Sequence, residues 1–119
     1  MSTVNGMGLR TTAAKTANYT VVANVDNGKS FTNEGAGGAI TFALPPATVG
    51  QWYRFRLKAA QELRIDPNGT ETMALPADGV IQAAGAYLTA NAVGECLEIE
   101  CVKAGTWESV AYTGTWTAV

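Results

Sequence analysis

The chain has 119 residues, which fits one domain and leaves little room for a second. Hydrophobic residues make up 47% of it, with alanine prominent among them, and charged residues only 15%, against roughly 25% in an ordinary soluble domain. The net charge of −2 gives no overall attraction to nucleic acid or an anionic membrane, and no run of about 18 apolar residues occurs to span a bilayer. So low a charge density points to a surface partly covered by sister subunits or a larger assembly; a weakly charged monomer is the plainer alternative. The opening stretch, from Met1 to Asn18, lacks the apolar run of a signal peptide, which predicts a protein that stays in the compartment where it is made.

Residues 1–18 are small and polar, broken by Asn5-Gly6 and Gly8, with Val4, Met7 and Leu9 as their sizeable apolar side chains. They read as an extended N-terminal arm with too few anchors of its own, ordered where a partner supplies a surface. A single β-domain is expected over 19–119. Residues 19–25 read as its first strand, Asp26-Asn27-Gly28 as a hairpin turn, and residues 29–32 as a short return strand around Phe31. The glycine-rich loop 33–38 follows. Ile40, Phe42 and Leu44 then form an inward face, ended by Pro45-Pro46.

Residues 51–58 alternate most clearly, with Tyr53, Phe55 and Leu57 on one face and Trp52, Arg54, Arg56 and Lys58 on the other. Leu63 and Ile65 point inward, Arg64 and Asp66 outward, until Pro67-Asn68-Gly69 turns the chain. Shorter runs lie near 73–75, 80–82 and 86–89. Two long strands are expected near 95–102 and 106–112, and Gly114-Thr115-Trp116-Thr117 carries an aromatic close to the end. No stretch of eleven residues repeats apolar positions with a helical period free of Gly or Pro. Short β-rich runs recurring every 8–12 residues predict an all-β fold, an antiparallel β-sandwich or barrel. Its expected core is Phe42, Leu44, Tyr53, Phe55, Leu57, Leu63, Ile65, Leu97 and Ile99.

Chemistry-bearing patterns are few. The chain has no histidine, which removes the commonest general base and metal ligand. Gly28-Lys29-Ser30 resembles the end of a phosphate loop, but Ala23 stands where that motif needs glycine and no helix follows. The run from Asp66 to Glu71 lacks the spacing of a calcium loop and reads as a proline-initiated turn. Cys96 and Cys101 are five apart, so on one strand they point to opposite faces and no disulfide is expected between them. No catalytic residue, cofactor or metal is therefore assigned. Arg54, Arg56, Lys58 and Arg64 place four cations on outward positions beside Trp52, while residues 71–108 are strongly acidic. A basic face and an acidic face suit packing between copies, ahead of plain solvated faces and of nucleic acid. Candidate interaction residues are Leu9, Arg10, Trp52, Arg54, Arg56 and Lys58.

A resemblance adds to this reading. It runs through Lys29-Ser30-Phe31-Thr32-Asn33, Ile40-Thr41-Phe42-Ala43-Leu44-Pro45, Gly50 and Tyr53-Arg54-Phe55. It continues through Leu63-Arg64-Ile65-Asp66-Pro67, Gly85 and Asn91-Ala92-Val93-Gly94-Glu95, to Trp107 and Thr113-Gly114-Thr115-Trp116. Over roughly residues 19–117 the sequence resembles a β-domain of tailed-bacteriophage virion proteins, found in capsid decoration (cement) proteins and in tail-fibre segments. The resemblance implies an all-β, non-enzymatic structural protein, commonly a homotrimer. It would be made in the bacterial host cytoplasm and built onto the outer capsid surface against the major capsid protein. No membrane or nucleic-acid partner is expected. With no repetitive shaft in the chain, a free-standing decoration protein is favoured. The alternative is a short tail-fibre or adhesin-like domain that recognises a host glycan, which exposed Trp52, Trp107 or Trp116 would support.

Overall fold

Strands that follow one another in this chain do not lie side by side; they alternate between two sheets. The computed structural model describes residues 10–119. A six-stranded sheet takes β1 (Thr12–Ala14), β3 (Ser30–Thr32), β5 (Trp52–Arg56), β7 (Thr72–Met73), β9 (Cys96–Lys103) and β10 (Thr106–Thr113), in the spatial order β1-β3-β5-β9-β10-β7. A five-stranded sheet takes β2 (Tyr19–Thr20), β4 (Ile40–Ala43), β6 (Leu63–Asp66), β8 (Leu88–Ala90) and β11 (Thr117–Ala118), in the order β11-β8-β6-β4-β2. The fold is all-β and two-layered, as expected.

The strand directions are not as expected. Thr12 pairs with Ser30 and Ser30 with Arg54, while Tyr19 pairs with Phe42 and Ile40 with Leu63, all in parallel. The first half of the domain therefore winds as a coil that returns to the same sheet every 18 to 24 residues. The second half is mainly antiparallel, through β5–β9, β9–β10, β6–β8 and β8–β11, with β7 set parallel to the start of β10. The sandwich is thus mixed, not antiparallel. Side-chain alternation fixes which face of a strand is buried but carries no sign of its direction, so the same pattern serves both arrangements. A parallel pair needs a long crossover, and here the strand in the opposite sheet supplies it.

The expected first strand is divided. Tyr19–Thr20 is β2, and Ala23–Asp26 is one helical turn, α1. The Asp26 side chain explains the break. It is fully buried and accepts hydrogen bonds from the Val22 N–H (2.9 Å), the Tyr19 hydroxyl (2.8 Å) and the Lys29 ammonium (2.8 Å). These curl residues 22–29 into a closed bend in place of a hairpin. Gly28, at φ +80°, then passes so close to Trp52 that a Cβ would sit 3.1 Å from the indole.

The arm reading is corrected in the same way. Residues 1–9 lie outside the described residues, but 10–18 belong to the sandwich. Ser30 N–H donates to Thr11 C=O and Lys15 N–H to Thr32 C=O, both at 2.9 Å, which seats β1 on β3. Ala13 packs against the core, and Asn18 accepts the Thr41 N–H at 2.8 Å. Residues 10–18 are thus part of the first coil.

All nine expected core residues are buried. Phe31 and Phe55 occupy the same register on adjacent parallel strands and stack at 5.7 Å, with Phe42 of the other sheet 5.2 Å and 5.1 Å from them. Trp107 lies fully buried against Tyr53 at 5.7 Å. Burial, then the Asp26 charge, pushes the Tyr53 hydroxyl up to about 12. Trp116 closes one end of the sandwich, where its indole N–H donates to the Cys96 and Thr113 carbonyls at 3.2 Å.

Phe55→Ala removes a ring packed on two others and should cost roughly 3–5 kcal/mol. Trp52→Ala, on the outer face of the same strand, should cost much less. Thermal unfolding of both variants checks this, and equal losses would contradict the buried and exposed faces of β5. A second expectation follows from Asp26. Burial pushes its carboxyl upward, but hydrogen bonds from Lys29, Val22 and Tyr19, with the Lys29 charge, outweigh that and hold it below the ordinary carboxylate value. A depressed folded value stabilises fully above the unfolded one and is lost as pH falls through it. Asp26→Asn should lose roughly 1.5–3 kcal/mol at neutral pH and show a shallower decline on acidification. Denaturation followed from pH 6 down to 2 tests it: the same slope in both proteins would mean Asp26 carries no such contribution.

Candidate interaction surface

The outer face of the six-stranded sheet gathers most of the expected interaction residues. β5 alternates about its buried Tyr53 and Phe55, so Trp52, Arg54 and Arg56 turn outward, and Lys58 lies exposed just past the strand end. β9 runs antiparallel beside it and sets Glu100 opposite Trp52, Glu98 opposite Arg54 and Cys96 opposite Arg56. Arg54 donates to Glu98 Oε1 through Nη2 at 2.8 Å and Nε at 3.2 Å. Arg10 reaches the same oxygen at 3.2 Å, with its guanidinium 4.5 Å from the centre of the Trp52 ring. Arg10 thereby ties the start of the described chain across β3 to β5 and β9. Partial burial pushes the Glu98 carboxyl up, but the two arginines outweigh it and hold the group below its ordinary value. Leu9, the remaining candidate, lies outside the described residues.

Two expectations about charge change here. Arg64 is not part of the strip, because β6 belongs to the other sheet. There it pairs with Glu62 at 2.8 Å and lies 5.3 Å from the Tyr87 ring centre. The acidic segment does not form an opposite face either: Glu98 and Glu100 stand on the same face as Arg54 and Trp52, one strand away. Much of the predicted basic strip is neutralised within the chain. Arg56 and Lys58 remain exposed and make no ion pair among the described residues. A shallow depression of about 170 Å³ opens beside them, lined by Arg54, Arg56, Cys96, Glu98 and Tyr112 among others.

The remaining patterns have structural employment. Lys29 is spent on Asp26, so Gly28-Lys29-Ser30 is a bend. Glu71, at the end of the proline turn, accepts the Ala47 N–H at 2.9 Å. Among the described residues no three His, Cys, Asp or Glu side chains stand close enough to hold a metal ion. Both cysteines are free and buried, Cys101 among core residues, where burial pushes its thiol up. Of the three tryptophans, Trp107 and Trp116 are in the core and Trp52 is half-buried under Arg10.

One feature of the surface escaped the sequence reading. β10 is eight residues long, yet β7 pairs with it only at Thr106 and Trp107. Residues 108–113 have β9 on one side and no strand on the other among the described residues. Val110 and Tyr112 there are 50% and 46% exposed. The signal was present in the unequal lengths of the apolar runs, since a two-residue partner cannot cover an eight-residue strand. Compared with known proteins, the sequence matches no family model and no curated protein.

Proposed function

We propose that the chain is a non-enzymatic virion structural protein. In this reading it is a decoration (cement) domain that packs as a homotrimer on the outer shell of a tailed phage and clamps neighbouring major capsid subunits. The observation that carries the reading is the outer face of the six-stranded sheet. There Arg10, Trp52, Arg54 and Glu98 interlock into a firm patch, and Arg56 and Lys58 stand free beside it. Such a patch is held by cross-strand pairs and needs no rearrangement to meet a partner, which lowers the ordering cost of docking. The two free cations select an acidic partner surface. Resemblance to phage decoration domains names the partner, and repetition over many copies makes a modest single contact sufficient.

The glycan-binding alternative draws less support. Burial of Trp107 and Trp116 takes away two of the three aromatic platforms it would use, and Arg10 covers part of the third.

Arg56→Glu/Lys58→Glu should leave the melting temperature nearly unchanged, because both side chains are exposed and unpaired among the described residues. Occupancy of the double variant on capsids that lack the protein should fall severalfold. Counting bound copies per particle by quantitative mass spectrometry decides it. Undiminished occupancy would remove this face from the contact, and only a few wild-type copies per particle would point to the tail.

A further inference from the structure

Among the described residues, the six-stranded sheet has two open stretches of edge, and they differ in kind. At one end β1 is short and flanked by cations. Thr11 C=O and Lys15 N–H face β3, so Thr12 and Ala14 turn their N–H and C=O groups to the open side. Arg10 and Lys15 bracket this strand. At the other end, residues 108–113 of β10 are open. Cys101 N–H donates to Gln51 C=O, so the even-numbered residues of β9 face β10. Cys96 and Glu98 therefore meet Thr113 and Ala111, and Tyr112 turns its main chain outward. Exposed Val110 and Tyr112 lie along this edge. Exposed Val80 and Ile81 flank its start, because Ile81 bridges Ala74, whose N–H donates to the Trp107 carbonyl. The carboxylates of Glu100 and Glu108 lie opposite one another on β9 and β10. Lys103 sits at the tip of the β9–β10 hairpin, beside the part that β7 already covers.

We propose that this sheet continues from copy to copy, the open edge of β10 in one chain taking the open edge of β1 in the next. Direction permits it. β1, β3 and β5 are parallel, and β9 reverses and β10 reverses again, so β1 and β10 run the same way. A rotation axis lying along the strands keeps that direction from copy to copy, so the junction forms as a parallel pair within a closed ring. The edges themselves favour it over a two-fold pairing of β10 with β10, which would leave the β1 edge of both copies uncovered, whereas this junction covers one edge of each kind. An open, apolar edge strand is an aggregation hazard when left uncovered, and a ring of identical chains closes these two edges of the six-stranded sheet. The inference deepens the assembly reading above by naming the contact between copies, and rests on it only for the identity of the shell.

Native mass spectrometry of the full chain tests it. Wild type should be a closed oligomer. Ala14→Pro removes an outward N–H of β1 without touching its bonds to β3, and Val110→Lys/Tyr112→Lys charges the β10 edge; each alone should be monomeric. Mixed in equal amounts, the two should form a heterodimer that stops at two, since one intact edge of each kind remains. Thr12→Pro and Tyr112→Lys alone serve where circular dichroism shows either first variant unfolded. A monomeric wild type, or an oligomer indifferent to Ala14→Pro and Thr12→Pro, would overturn the proposal. Shells decorated by a monomeric wild type would overturn this junction while leaving the assembly reading intact. A ring that forms but leaves shells bare would do the reverse.

Discussion

The fold depends on satisfying backbone groups at the bends, where the chain leaves one sheet for the other. Ladder hydrogen bonds stop there, and the N–H groups left over need other partners, above all where the bend is buried, as at Asn33. Asparagine side chains supply many of them. Asn33, fully buried between β3 and β4, accepts the N–H groups of Lys58 and Ala59 at 2.7 and 2.9 Å and donates to the Ala59 carbonyl at 3.2 Å. Asn27 accepts the Trp52 N–H at 3.0 Å, and Asn18 that of Thr41. Each of these reaches one coil forward, so the side chain continues the parallel ladder around the corner. Glu95 serves a loop in the antiparallel half, accepting the N–H groups of Asn91 and Ala92 just before it and that of Thr115. An apolar residue at position 33 would leave two buried donors unpaired, at about 1–3 kcal/mol each.

That constraint also marks what could be read from the sequence. The core was legible because burial imposes a period of two, and Tyr53, Phe55 and Leu57 or Leu63 and Ile65 obey it whatever their neighbours do. Strand direction was not legible, because Asn33 or Asn27 looks like ordinary turn chemistry and its true partner lies about 25 residues away. The same blindness split the outer cations. Arg56 and Arg64 are close in sequence, but the bend between them sends one to each sheet. Residues 10–18 were misread because short polar side chains do not advertise a strand that is held mainly by backbone bonds at a sheet edge.

For the surface, pairing matters more than composition. Few charges are present, and many are engaged within the chain: Arg10 and Arg54 on Glu98, Arg64 on Glu62, Lys29 on Asp26. Lys15 lies 3.8 Å from the Tyr19 ring centre, and Glu95 is committed to backbone N–H groups. Long-range steering of a partner therefore has little to work with. Recognition falls instead to local features with direction: an interlocked aromatic and arginine patch, two free cations beside it, and strand edges whose main-chain groups face outward. A surface built this way gains specificity from register and shape. On the proposed decoration role, strength would come from number, because a repeating lattice presents the same geometry to every copy and lets modest contacts add.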